Sequence, residues 1–149
     1  MISKVSFKDL HEAPNFNDLL EEYIDESANP LLPSPKYQVD TYYALESAGV
    51  LHCLASYTQD SVLSGFLTLI VTPMPHYGAI IAASESYFVG GAYRQSGAGL
   101  KLLDAAEDLA KELGAAGVLV SAPVGGKLEE VLPRAGYAHT NQLFFRGVS

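Results

Sequence analysis

From Ala79 to Val120 the chain reads as an apolar strand, a glycine turn, one long two-faced helix and a short second strand. No other stretch restricts the fold as much. A strand that feeds a helix and then a second strand of the same sheet returns parallel, through a right-handed crossover. The helix is expected over residues 97–113. Leu102, Ala106, Leu109 and Leu113 form its apolar stripe, Leu103 and Ala110 widen it, and Lys101, Asp104, Asp108, Lys111 and Glu112 lie mainly opposite. Gly114 and Gly117 punctuate its end, ahead of a buried strand over Val118–Val120.

The rest of the chain fills in around this unit. Ile2 to Phe7 alternates loosely and reads as a first strand. Asn15 is placed to cap a helix whose stripe is Phe16, Leu19, Leu20, Tyr23 and Ile24. Pro30, Pro33 and Pro35 make an irregular connector, and a second helix is expected over Val39–Ala48. Val50–Tyr57 and Val62–Thr72 read as a hairpin joined by Thr58 to Ser61. Pro73 and Pro75 are expected to break its second strand and open a loop with His76, Tyr77 and Gly78. Ala79–Val89 is the next strand. Lys127–Leu132 reads as a brief helix before Pro133, and Leu143-Phe144-Phe145 as a terminal strand. This order predicts one α/β (α+β) domain over 1–149, with a mixed, mostly antiparallel central sheet flanked by helices.

Composition narrows the function classes. The formal charge of −8 argues against a nucleic-acid partner, which requires a basic face, and favours a cationic or neutral one such as an amine. Cys53, the only cysteine, stands in an apolar run and reads as a buried structural thiol. No His, Cys, Asp or Glu grouping has metal-ligand spacing, so no metal is expected. The longest apolar run, Gly65–Val71, is too short to cross a bilayer, and Lys4, Lys8 and Asp9 interrupt any leader-like stretch. A cytoplasmic protein without a membrane partner is the expectation.

Arg94-Gln95-Ser96-Gly97-Ala98-Gly99 lies where the strand gives way to the helix. The first N–H groups of a helix lack partners within it, and together with the helix dipole they favour an anion. Gly97 and Gly99 let phosphate approach the backbone, and Arg94 adds a positive charge. By itself a short glycine motif serves equally as a tight turn. No Gly-x4-Gly-Lys-Ser/Thr sequence is present. A dinucleotide fingerprint would also come after an early strand rather than after four strands.

The hexapeptide resembles the coenzyme signature Arg/Gln-x-x-Gly-x-Gly/Ala of the GNAT N-acetyltransferases. Glu85-Ser86-Tyr87-Phe88-Val89 is similar to the family's fourth strand. Leu113-Gly114-Ala115 and Arg134-Ala135-Gly136-Tyr137 resemble landmarks of its C-terminal half. The resemblance is strong from Ser84 to Tyr137; earlier it is only an agreeing order of elements. It implies acetyl-coenzyme A as co-substrate and transfer to a primary amine of a small molecule or peptide by direct attack; a homodimer stays open.

In that reading Phe88, Val89, Arg94, Gln95, Ser96, Gly97, Ala98, Gly99 and Leu100 hold the coenzyme. The amides from Gln95 to Leu100 take the pyrophosphate, and the Val89 edge pairs with the pantetheine arm where two strands splay. Glu85, a carboxylate on an apolar strand, is the candidate general base, and strand alternation places it on one face with Tyr87 and Val89. The family's tyrosine acid falls on Leu132, and Tyr137 is expected in the core. His76, Tyr77, Tyr42 and Tyr43 are candidate acceptor contacts that loop exposure or helix packing explains equally well. A coenzyme-binding module without efficient turnover, and a structural domain whose glycine loop is only a turn, are the competing readings.

Overall fold

The computed structural model describes residues 1–149 and is built on one five-stranded sheet ordered β1-β2-β3-β4-β5. The strands are β1 (Ile2–Val5), β2 (Leu51–Tyr57), β3 (Leu63–Met74), β4 (Ala79–Val89) and β5 (Gly117–Leu119). The first four pair antiparallel, and β5 joins β4 in parallel, as the crossover requires. Helices α1 (Phe7–His11), α2 (Phe16–Ser27) and α3 (Val39–Ser47) precede β2. A 3₁₀ segment (Gly91–Ser96) leads into α4 (Ala98–Glu112), and α5 (Lys127–Arg134) follows β5. No helix is long and apolar enough to cross a membrane.

Alternation along the strands builds two cores, one on each face of the sheet. Leu54, Leu67, Leu69, Val71 and Ala82 face α4, where Leu102, Leu103, Ala106 and Leu109 complete a dry layer. Leu51, Cys53, Ala55, Phe66 and Phe88 face the other way and pack against Phe7, Leu10, Phe16 and Leu19 of α1 and α2.

Four expectations change. Ser6 ends the first strand early: its side chain accepts the Asp9 N–H and starts the short helix α1, which buries Phe7 and Leu10. Asn15 precedes α2 but makes no cap, because its amide instead donates to the Leu63 carbonyl at 2.8 Å and ties the helix to the sheet. Pro73 stays within β3, paired with Ile80. It lies beyond the last β2 partner, Ile70, where a missing N–H costs no ladder bond on that side. Leu143-Phe144-Phe145 forms no strand. These residues are 83%, 91% and 54% exposed, without a ladder partner, and β5 at the end of the sheet is only three residues long.

Candidate functional site

The ladder between β3 and β4 slips by one residue. Thr68 pairs with Ser86 while Leu69 pairs with Ser84, so Glu85 is the extra residue of a β-bulge. The slip shows in the packing. Ile80 and Ala82 face α4 before it, and Tyr87 and Val89 face α4 after it, which an unbroken alternation does not allow. Glu85 is therefore not on the face of Tyr87 and Val89. It turns to the opposite side, with Ser86 and Phe88, toward α2 and α3.

There its carboxylate accepts three hydroxyl protons: Tyr42 Oη on Oε1 at 2.6 Å, and Thr68 Oγ1 and Ser86 Oγ on Oε2 at 2.7 and 2.8 Å. Tyr37 Oη lies 2.7 Å from Ser86 Oγ. Since Ser86 has one hydroxyl proton and gives it to Glu85, Tyr37 donates to Ser86. Tyr37 and Tyr42 stack with ring centroids 4.9 Å apart. Burial, the main cause, raises the hydroxyl of Tyr23 and holds those of Tyr37 and Tyr42 well above the usual tyrosine range, and the Glu85 carboxylate adds to it. All three stay protonated near neutral pH, and Tyr37 and Tyr42 serve as donors. Two carboxylate oxygens offer about four lone-pair positions. Oε2 takes two donors and Oε1 one, so Oε1 keeps a free position. Glu85 itself helps line a cleft of about 190 Å³, with Tyr23, Ser27, Lys36, Tyr37, Tyr42 and Ser86 together with Pro35.

On the far side, β4 loses its neighbour. The parallel pairing with β5 ends at Ala83–Leu119, after which Ser84 Oγ accepts the Ser121 N–H and the strands part. Gly90 N–H donates to Ser64 O, so by the alternation of an antiparallel ladder Phe88 points its backbone groups at Phe66, and Tyr87 and Val89 point theirs at the open edge. Phe88 offers that edge neither backbone nor ring, since the ring is buried among Phe66 and Tyr23. The Val89 carbonyl accepts Arg94 Nε at 3.0 Å.

Arg94 is tightly engaged. Its Nη2 also bonds Glu26, and the guanidinium lies 5.4 Å from the Phe88 ring centroid. Glu22 accepts the Gly91 N–H at 2.6 Å, so two carboxylates of α2 grip the segment that precedes the glycine loop. In the loop, Ser96 Oγ accepts the Ala98 N–H at 3.2 Å. The first regular bond of α4 is Lys101 N–H to Gly97 O, which leaves Gly99 and Leu100 among the amides without a helical partner. Gly97 adopts φ +81°, and a Cβ there would meet nothing within 4 Å. Gly99 is needed for closeness: a Cβ would stand 3.2 Å from Tyr87 Oη, which donates to Gly99 O at 2.5 Å. Gln95 and Ser96 are exposed beside it.

The remaining candidates separate cleanly. Tyr42 belongs to the site, while Tyr43 packs edge-on against Phe7. His76 and Tyr77 meet edge to face in an exposed turn and do not line the cleft. Leu132 is buried in the α4-face core. Tyr137 packs against the same core, and its Oη is buried without a partner. No group of His, Cys, Asp or Glu is arranged to hold a metal. The residues sequence reasoning missed are Tyr37, Thr68, Ser86, Tyr23 and Lys36. A hydroxyl in each of two apolar strands, at Thr68 and Ser86, was the available signal.

A strand edge thus opens beside a glycine-led helix, as the splay of two strands at Val89 implied, while the bulge puts Glu85 on the face opposite to the expected one. The sequence profile of the acetyltransferase (GNAT) family matches residues 16–125. The chain belongs to the GNAT acetyltransferase family. Solved structures agree with this on the fold. A ribosomal-protein-alanine N-acetyltransferase from Brucella melitensis biovar Abortus 2308 superposes with TM-score 0.73 at 19% identity, over 100% of this chain and 99% of that one. An Arabidopsis thaliana glucosamine-6-phosphate N-acetyltransferase gives 0.73 at 14%, over 100% and 98%. An aminoglycoside acetyltransferase from an uncultured soil metagenomic sample, solved with sisomicin, gives 0.75 at 18%, over 100% and 96%. Comparison with curated protein sequences gives no match. Leu132, the position where the resemblance placed a tyrosine acid, carries a leucine buried in the core.

Proposed function

We propose that this GNAT chain is an N-acetyltransferase that moves the acetyl group of acetyl-coenzyme A to a primary amine of a small molecule or peptide by direct attack. The observation that carries this reading is Glu85, raised from β4 by a bulge, held by three hydroxyl donors and lining a cleft. The amine nitrogen forms its bond to the thioester carbonyl carbon, the C–S bond breaks with its electron pair leaving on sulfur as a thiolate that takes a proton from solvent, and the amine's proton passes to the Glu85 carboxylate directly or through one water.

The residues present suit the coenzyme. The free amides at Gly99 and Leu100, with Gln95 to Ala98 around them, suit the pyrophosphate, and the open space at Gly97 admits it. The outward backbone groups of Tyr87 and the outward N–H of Val89 suit the amide-bearing arm, paired as a further strand pairs. Arg94, engaged by Glu26 and Val89, supports the loop from behind. The buried Leu132 in place of an acid favours the second reading, a coenzyme-binding module with poor turnover.

Two measurements test these readings, the first their shared coenzyme site and the second the difference between them. Calorimetry should show coenzyme A binding much more tightly than 3',5'-ADP, which lacks the arm. Thiol release with an amine panel should then show turnover. Equal affinities remove the arm groove, and binding without thiol release leaves the module.

A further inference from the structure

The cleft beside Glu85 holds a second charge that the chemistry of amine transfer does not use. Of its lining residues only Glu85 and Lys36 are charged, one of each sign. Lys36 stands in the proline-rich connector between α2 and α3, and its neighbours fix its place. Pro35 restricts the backbone before it. Tyr37 after it is anchored by the hydrogen bond to Ser86 and by stacking on Tyr42. The ammonium itself has no carboxylate within 4.0 Å, for the one salt bridge of the molecule is Arg94–Glu26. The side chain is exposed and lines the cleft.

A cation in this position is out of keeping with a plain ammonium acceptor. It repels the arriving amine, in a protein that carries 17 acids against 9 bases in all. It also disfavours a polycation, which needs several carboxylates. The cleft supplies one, and the nearby Glu22 and Glu26 are taken by Gly91 and Arg94. The charge pattern becomes complementary only if the acceptor brings an anion of its own. The volume, about 190 Å³, lies below the roughly 300–1,000 Å³ of pockets for drug-sized ligands and so favours a small molecule.

Building on the N-acetyltransferase reading above, we propose that the acceptor is a small zwitterion, an amine that also carries a carboxylate or phosphate, with its amine at Glu85 and its anion at Lys36. Lys36 is then the residue that sets specificity. It reads the anion and takes no part in the transfer.

The test measures thiol release from acetyl-coenzyme A with matched acceptors: 4-aminobutyrate against butylamine, O-phosphoethanolamine against ethanolamine, and spermidine as polycation. Wild type, Lys36→Met and Lys36→Glu are compared. An exposed ion pair predicts that wild type favours the anionic member of at least one pair by about threefold to fivefold in kcat/KM, chiefly through KM. The better pair tells carboxylate from phosphate. Lys36→Met removes the preference and Lys36→Glu reverses it. Equal rates within both pairs, a preference that survives Lys36→Glu, or spermidine as the best acceptor overturns the inference while leaving N-acetyl transfer in place. Coenzyme binding with no thiol release from any amine overturns both.

Discussion

Replacing Glu85 with glutamine removes the proposed base while leaving its surroundings almost intact, and the structure says why. If the new carbonyl oxygen takes the Oε2 position, it keeps the donors from Thr68 and Ser86. The new NH₂ then faces Tyr42 Oη, whose hydroxyl rotates to accept. At most one net hydrogen bond is lost, about 0.5–1.5 kcal/mol, which for a chain of this size lowers Tm by roughly 1–6 °C. Turnover is a different matter. A lysine-type amine with pKa near 10.4 is free in only about one molecule in 2,500 at pH 7, a deficit of about 4.6 kcal/mol. Glutamine takes no proton, and the expected loss is about 10²–10⁴-fold near neutral pH with coenzyme affinity unchanged. The variant should instead depend on amine already free in solution, so its rate should climb roughly tenfold per pH unit from 7 to 9 while wild type climbs less. The assay is thiol release across that range, on the best amine of the panel, with calorimetry and a melt on both proteins. Parallel pH profiles would refute the reasoning and make Glu85 a structural member of its hydroxyl cluster.

Three other perturbations follow from the glycine loop and the core. Gly97→Ala meets no atom but must hold φ near +81°, so it should cost about 1–2 kcal/mol in a melt and spare coenzyme binding. Gly97→Glu carries the same strain and should abolish binding by calorimetry, and equal affinity for the two variants counts against the anion site. Gly99→Ala drives a methyl toward Tyr87 Oη, so a destabilisation of about 1–3 kcal/mol should shrink in a Tyr87→Phe background; zero coupling in that double-mutant cycle contradicts the contact. Leu132→Tyr overpacks the α4-face core at a cost of about 1–3 kcal/mol, and thiol release should not speed up; a faster enzyme shows that the site lacked an acid after all.

Much of the frame was legible because it is written in local patterns. The stripe Leu102, Ala106, Leu109 and the glycines before it give α4 and its entry within a residue of the observed Ala98–Glu112. Glu85 was legible as a carboxylate out of place on an apolar strand, yet its face was not. A bulge changes the pairing of one residue without altering composition, and here it reverses every later side chain of β4. Tyr37 was illegible for another reason. It lies in a connector with no period, and its partner Ser86 is 49 residues away. Helix α1 is too short for periodicity, although Ser6 three residues ahead of Asp9 was a usable capping signal. The apolar triplet at Leu143 misled because a strand is made by its neighbour as much as by its own residues, and it has none.

Cys53 turns this fold into its own reporter. It is 1% exposed in the core beneath α1 and α3, and burial pushes its thiol up to about 12. A thiol reagent that reads released coenzyme therefore sees almost nothing from the folded protein. What slow reaction there is requires the sheet to open, so labelling at Cys53 follows the population of opened molecules. A ligand present at about a hundred times its Kd should slow that labelling by roughly a hundredfold. One cysteine, left in place, thus ranks coenzyme fragments and acceptor amines by how firmly each keeps the protein closed, before any of them has been turned over.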